Sequence, residues 1–139
     1  MRGYNQQGMN SFRRNGWRGF LAAFGHAGRG VLHLLASQRN ARFHAAAAVA
    51  AVALGWWLGI SRGEWIAIAL CIGFVFTAEA LNSALEELAD AVHPDRHPAV
   101  GRAKDLAAAA VLLAALAAAA AGLVIFVPRL VTAGFFTAN

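Results

Sequence analysis

The sequence predicts an all-α polytopic membrane protein, with three transmembrane helices and an N-terminal amphipathic surface helix. Three observations carry that expectation. Hydrophobic residues make up 59% of the 139 residues and charged residues only 14%, which is too apolar for an ordinary soluble domain. The excess gathers in three runs: Phe43 to Ile60, Trp65 to about Leu85, and Leu106 to Val127. At ~1.5 Å per residue each is long enough to cross, or nearly cross, a ~30 Å hydrocarbon layer. The charges are also placed asymmetrically. Seven arginines and no acidic residue precede the first run, and Arg62 and Glu64 stand alone in the turn after it. Arg96, Arg102 and Lys104 return in the second connection, and only Arg129 follows the third run. By the positive-inside rule the N-terminus and the second connection are cytoplasmic.

Taken in order, residues 1–15 are rich in Gly, Asn, Gln and Arg and are expected to be a disordered basic arm. Residues 16–130 form the membrane domain and residues 131–139 a short tail. From Trp17 to Ala36, Trp17, Phe20, Leu21, Phe24, Val31, Leu34 and Leu35 recur at spacings of three and four. That periodicity fits a helix lying on the inner leaflet, with Arg18 and Arg29 toward headgroups. Gly25, Gly28 and Gly30 weaken it by up to ~1 kcal/mol each, so a break is expected near them. The first run is short and Ala-rich, and on hydropathy alone a buried soluble helix is its alternative; its lack of a polar face favours the membrane. Trp56, Trp57 and Trp65 flank the outer turn, where amphipathic rings prefer to sit. Pro94 and Pro98 are expected to end the second helix, with the third beginning near Arg102 or Ala103 and closing at Pro128. The first apolar run starts late and lacks a cleavage pattern, so no cleaved signal is expected.

The second span carries the chemistry. No charge interrupts it from Trp65 to Ala78. Acids then fall at Glu79, Glu86 and Asp90, with Asn82 and Ser83 between them. At ~100° per residue these positions share a sector of roughly 100°. Charges at membrane depth are costly and usually functional. Glu79 lies ~21 Å along the axis from Trp65, on the cytoplasmic side of the midplane. A carboxyl removed from water there suits a proton acceptor working near neutral pH. Glu86 and Asp90 sit at the wet boundary, where a hard divalent cation is held by oxygens. Lys104 and Asp105 are expected at the start of the third helix, where an ammonium and a helix N-terminus both favour phosphate. Together these groups describe phosphoryl transfer from a nucleotide to a lipid hydroxyl. Glu87 points ~80° from Glu79 and reads as a solvated helix end. His26, His33 and His93 have no ligand-like neighbours in sequence and read as surface residues. Cys71 stands alone and reads as packing. Anionic headgroups explain the basic arm better than nucleic acid does.

The run Glu79-Ala-Leu-Asn82-Ser83-Ala-Leu-Glu86, followed by Asp90, His97, Gly101 and Ala103-Lys104-Asp105, resembles the prokaryotic diacylglycerol kinase family of small membrane lipid kinases, which includes undecaprenol kinases. Arg39-Asn40-x-Arg42-x-His44 adds a weaker match, and the resemblance spans roughly Gly30 to Phe126. It implies homotrimers in the bacterial inner membrane, with ATP and Mg²⁺ at active sites shared between subunits. Glu79 matches the general base toward the lipid hydroxyl, and Glu86 a metal ligand. Asn82, His97, Lys104 and Asp105 match positions around the nucleotide, and Arg42 a basic residue where the lipid arrives. The family commonly has a metal-binding Glu two residues before Asn40. Here Gln38 takes that place, a carbonyl donor without charge. The Arg-Asn-x-Arg-x-His form is closer to the undecaprenol-kinase branch. The alternative is a non-enzymatic membrane subunit or small transporter, with Glu79 as a proton-relay carboxylate.

Overall fold

The computed structural model describes residues 16–93 and 97–134; the side chains of residues 16–18 and 20 are outside that description. The expectations for residues 1–15 and for Pro94 therefore lie outside the described residues. The described residues form four helices: α1 (Gly16–Ser37), α2 (Arg39–Leu58), α3 (Arg62–Val92) and α4 (Pro98–Thr132). The last three are long and apolar enough to cross a membrane. Most of their large apolar side chains point outward, as Phe43, Trp56, Leu70, Phe74 and Val124 do, which is costly in water and suited to lipid. Helix α1 runs unbroken through Gly25, Gly28 and Gly30, against the expected break.

Helices α3 and α4 form the principal packed pair, with α2 against both. Their ends at the α2–α3 turn are closed by local chemistry. Gly59 ends α2 in the left-handed region at φ 62°, its N–H donating to the Gly55 carbonyl. Ser61 then starts α3 with a capping box: its hydroxyl accepts from the Glu64 N–H, and the Glu64 carboxylate accepts from the Ser61 N–H at 2.7 Å. Arg129 of α4 reaches back to Glu64 with two hydrogen bonds of 2.5 and 2.7 Å. Below this lies a small apolar core of Ile60, Ile68, Ile125 and Phe126.

Two expectations about α4 are corrected. It begins at Pro98, not near Arg102, because His97 serves as its cap and Pro98 as its first residue, where a missing N–H costs nothing. It also continues through Pro128 to Thr132. A transmembrane helix tolerates such an interruption when neighbouring groups take up the freed backbone.

Candidate active site

The polar sector of α3 faces inward. Glu79 is 2% exposed, Asn82 8% and Ser83 7%, the three buried polar residues of the described chain. The periodicity that aligned them in sequence is what places them on the face that α2 and α4 cover. A cleft of about 350 Å³ opens there, lined by Glu79, Asn82 and Glu86 of α3. Asn40, Phe43 and His44 of α2 face them, and Ala108, Val111, Leu112 and Ala115 of α4 close the third side. The Asn82 amide donates to the Glu86 carboxylate at 3.0 Å, leaving the Asn82 Oδ1 buried without a partner. The Glu79 Oε2 is likewise buried and unpaired. An unsatisfied buried acceptor costs roughly 1–3 kcal/mol, so such groups point to a missing ligand.

One turn beyond Glu86, Asp90 forms an ion pair with Lys104 of α4. Lys104 and Asp105 thus lie well past the first turn of α4, and the argument for a helix N-terminus beside them does not hold. His97 sits at that N-terminus instead, its Nδ1 accepting from the Ala99 N–H at 3.2 Å, with its ring 5.3 Å from that of His93. Gln38 is the half-buried residue before α2, its side chain making no capping bond. Arg42 turns back to the α1–α2 junction and donates to the Ala36 carbonyl at 3.3 Å.

The structure therefore brings Glu79, Asn82 and Glu86 together. It does not bring Gln38, Arg42, His97, Lys104 or Asp105 into the lining of the same cleft. Among the described residues no three His, Cys, Asp or Glu side chains converge as a metal site. Asn40 and His44 enter the cleft without having been assigned a role. Their spacing of four at the start of an apolar helix was the available signal. His33, read as a lone surface residue, has its Nε2 2.8 Å from the Glu87 carboxylate and ties α1 to α3.

Residues 25–126 match the model of a family described as prokaryotic diacylglycerol kinase, most of the chain's length. The chain belongs to the prokaryotic diacylglycerol kinase family. It is similar to an undecaprenol kinase of Bacillus subtilis, at 42% identity over 84% of this chain and 95% of that protein. A diacylglycerol kinase of Synechocystis is 36% identical over 86% of this chain and 71% of its own length. The diacylglycerol kinase of Escherichia coli is 29% identical over 70% and 80%. This membership favours a membrane lipid kinase over the non-enzymatic subunit or transporter. The E-x-x-N-S-x-x-E run that suggested the family is the run that builds the cleft.

Proposed function

We propose that the chain transfers the γ-phosphate of ATP to the hydroxyl of a lipid alcohol, diacylglycerol or undecaprenol, at the cytoplasmic face of the bacterial inner membrane. The observation that carries this is the Glu79 carboxyl, sealed from solvent with one oxygen unpartnered, facing a cleft that also holds Asn82 and Glu86. Glu79 accepts the hydroxyl proton as the lipid oxygen bonds to the γ-phosphorus and the bond to the ADP oxygen breaks. The arginine-rich N-terminal segment supports a cytoplasmic N-terminus.

Mg²⁺ takes hard oxygens, of which the cleft offers the Glu86 carboxylate; the Gln38 carbonyl, outside the cleft lining in the single chain, would be a second, neutral donor. When bound, the ion neutralises charge on the phosphoryl oxygens. Asn82, His97, Lys104 and Asp105 position the nucleotide, with the Lys104 ammonium shared between Asp90 and phosphate. Arg42 lies where the lipid headgroup arrives. The resemblance of the Glu79–Glu86 run to homotrimeric lipid kinases supports a homotrimer with active sites shared between subunits.

The test is ATP consumption by purified protein in mixed micelles. Stimulation by undecaprenol or diacylglycerol is expected, with a requirement for Mg²⁺. Glu79→Gln should lower turnover by about 10²–10⁴-fold, the usual worth of a positioned base. Unchanged turnover in that variant would remove Glu79 from the mechanism.

A further inference from the structure

If Glu79 deprotonates the lipid hydroxyl, every turnover leaves a proton on its carboxyl. That proton has to leave before the next hydroxyl can be deprotonated. Glu79 is 2% exposed, so its carboxyl does not exchange directly with bulk water. Another group in the cleft must take the proton onward. Of the cleft's other lining residues, only His44 and Glu86 can hold one. Asn40 and Asn82 are amides, and the rest of the lining is apolar. Glu86 is poorly suited. Its carboxylate accepts from the Asn82 amide at 3.0 Å, and as a metal ligand it must stay deprotonated.

His44 fits the requirement. Imidazole is the side chain that takes up and releases protons between pH 5 and 8. His44 faces Glu79 from α2, and its charge acts on Glu79 more strongly than that of Glu86 does. No acid or base of α4 lines the cleft, and Arg42 on α2 donates to the Ala36 carbonyl instead. Exposure is also graded along the way out. Glu79 is buried and His44 half-buried, while Asn40, one turn earlier on the same face of α2, is exposed. A carboxyl sealed from solvent thus stands across the cleft from a ring that is not sealed.

Resting on the lipid-kinase reading above, we infer that His44 is the exit for the catalytic proton: it takes from Glu79 the proton removed from the lipid hydroxyl and releases it to water at the Asn40 mouth of the cleft. Only O–H and N–H bonds change. The Glu79 O–H bond breaks as the proton adds to a ring nitrogen of His44, directly or over a water for which the cleft has room. The imidazolium then gives the proton to bulk water or buffer, and both side chains return to their starting forms. His44 serves repeated turnover through Glu79, not the phosphoryl transfer itself.

Such a relay is dispensable once. A site at rest has had time to equilibrate with solvent through local opening, so its first phosphorylation does not need His44. The experiment is rapid-quench kinetics of the intact protein in mixed micelles with Mg-ATP. The acceptor is undecaprenol or dioleoylglycerol, whichever the wild-type protein phosphorylates faster. His44→Gln should form lipid phosphate at the wild-type rate in its first turnover. It should then continue about 10²-fold more slowly, the lower end of what positioned proton transfer contributes. The burst amplitude counts the folded sites, so a misfolded fraction does not imitate the effect. His44→Glu has the shape of the Gln variant but exchanges protons, and it should recover most of the lost turnover. A first turnover slowed as much as the later ones would place His44 in the chemical step or in packing and overturn the relay. Unchanged steady-state turnover would send the proton out by another route, with phosphate or product, and would also end the proposal. So would a Glu variant as slow as the Gln one. Failure of the lipid-kinase reading looks different: the wild-type protein then phosphorylates neither alcohol.

Discussion

Helix α3 carries one glutamate in its first turn and another just past its middle, and the two are treated in opposite ways. Glu64, beside the α2–α3 turn (the outer end if the arginine-rich N-terminus is cytoplasmic), accepts from the Ser61 N–H and from two guanidinium nitrogens of Arg129. Glu79, some 22 Å further along, is more deeply buried yet keeps an oxygen with no partner. On the α2 side of that turn the chain packs tightly. A Cβ at Gly55 would stand 3.0 Å from both the Ile60 side chain and the Trp65 ring, and Trp56 meets Trp65 edge-on at 6.0 Å. Glu64 touches a surface groove that is otherwise apolar, whereas Glu79 faces a cleft it shares with Asn40, His44, Asn82 and Glu86. The outer end is where the fold spends its polar groups on itself. The inner end holds them in reserve, and a buried acceptor left unpaired in a site with room for a ligand is the mark of binding chemistry.

That contrast breaks most sharply at Glu79. Glu79→Gln should abolish nearly all turnover, as set out above, while thermal unfolding in detergent stays where it was or moves upward, because a neutral amide is cheaper to bury than a charge. A fall in stability comparable to that of outer-end variants would make Glu79 a structural residue and erase the distinction. Gly55→Val tests the other end. Its methyls meet the Trp65 ring and Ile60, so a loss of about 1–3 kcal/mol in stability is expected, with KM for ATP unchanged in the folded fraction. Arg129→Met should produce a smaller drop in unfolding temperature, since Glu64 keeps its Ser61 cap and both partners are partly solvated. If Arg129→Met alters turnover more than stability, the two ends are coupled and the division drawn here is wrong.

What the sequence disclosed follows the same division. The three spans and the inward alignment of Glu79, Asn82 and Glu86 were legible because hydropathy and helical period are local signals. The start of α4 was misread because Pro98 suggests a break and equally suits a first helical residue; only the cap at His97 distinguishes the two. The pairing of Lys104 with Asp90 depends on how α3 and α4 align after the connection, which no window of sequence encodes. Gln38 and Arg42 were drawn toward the site by motif alone. The turn between α1 and α2 instead directs Arg42 to the Ala36 carbonyl and leaves Gln38 outside the cleft lining. Asn40 and His44 line the cleft because they are one turn apart on the face of α2 that meets α3, a fact of packing rather than of composition.

The smallest expected effect concerns α1. Helix α1 is tied to the membrane helices by the bond between His33 and Glu87, both more than half exposed, and by the Arg42 guanidinium on the Ala36 carbonyl. Among the described side chains of α1 Leu34 is the one that is buried, and it lies in the C-terminal third of the helix. A solvated pair of this kind is worth about 0–1 kcal/mol. His33→Ala should therefore shift global unfolding by no more than that, while hydrogen exchange of the α1 amides accelerates, because local opening needs only the local contacts to fail. Leu34→Ala should accelerate the same exchange further, since it removes the apolar anchor rather than a screened ion pair. Were His33→Ala the larger of the two, α1 would be held by charge rather than by burial, and it would share with the Glu64–Arg129 end of α3 a dependence on polar contacts made within the fold.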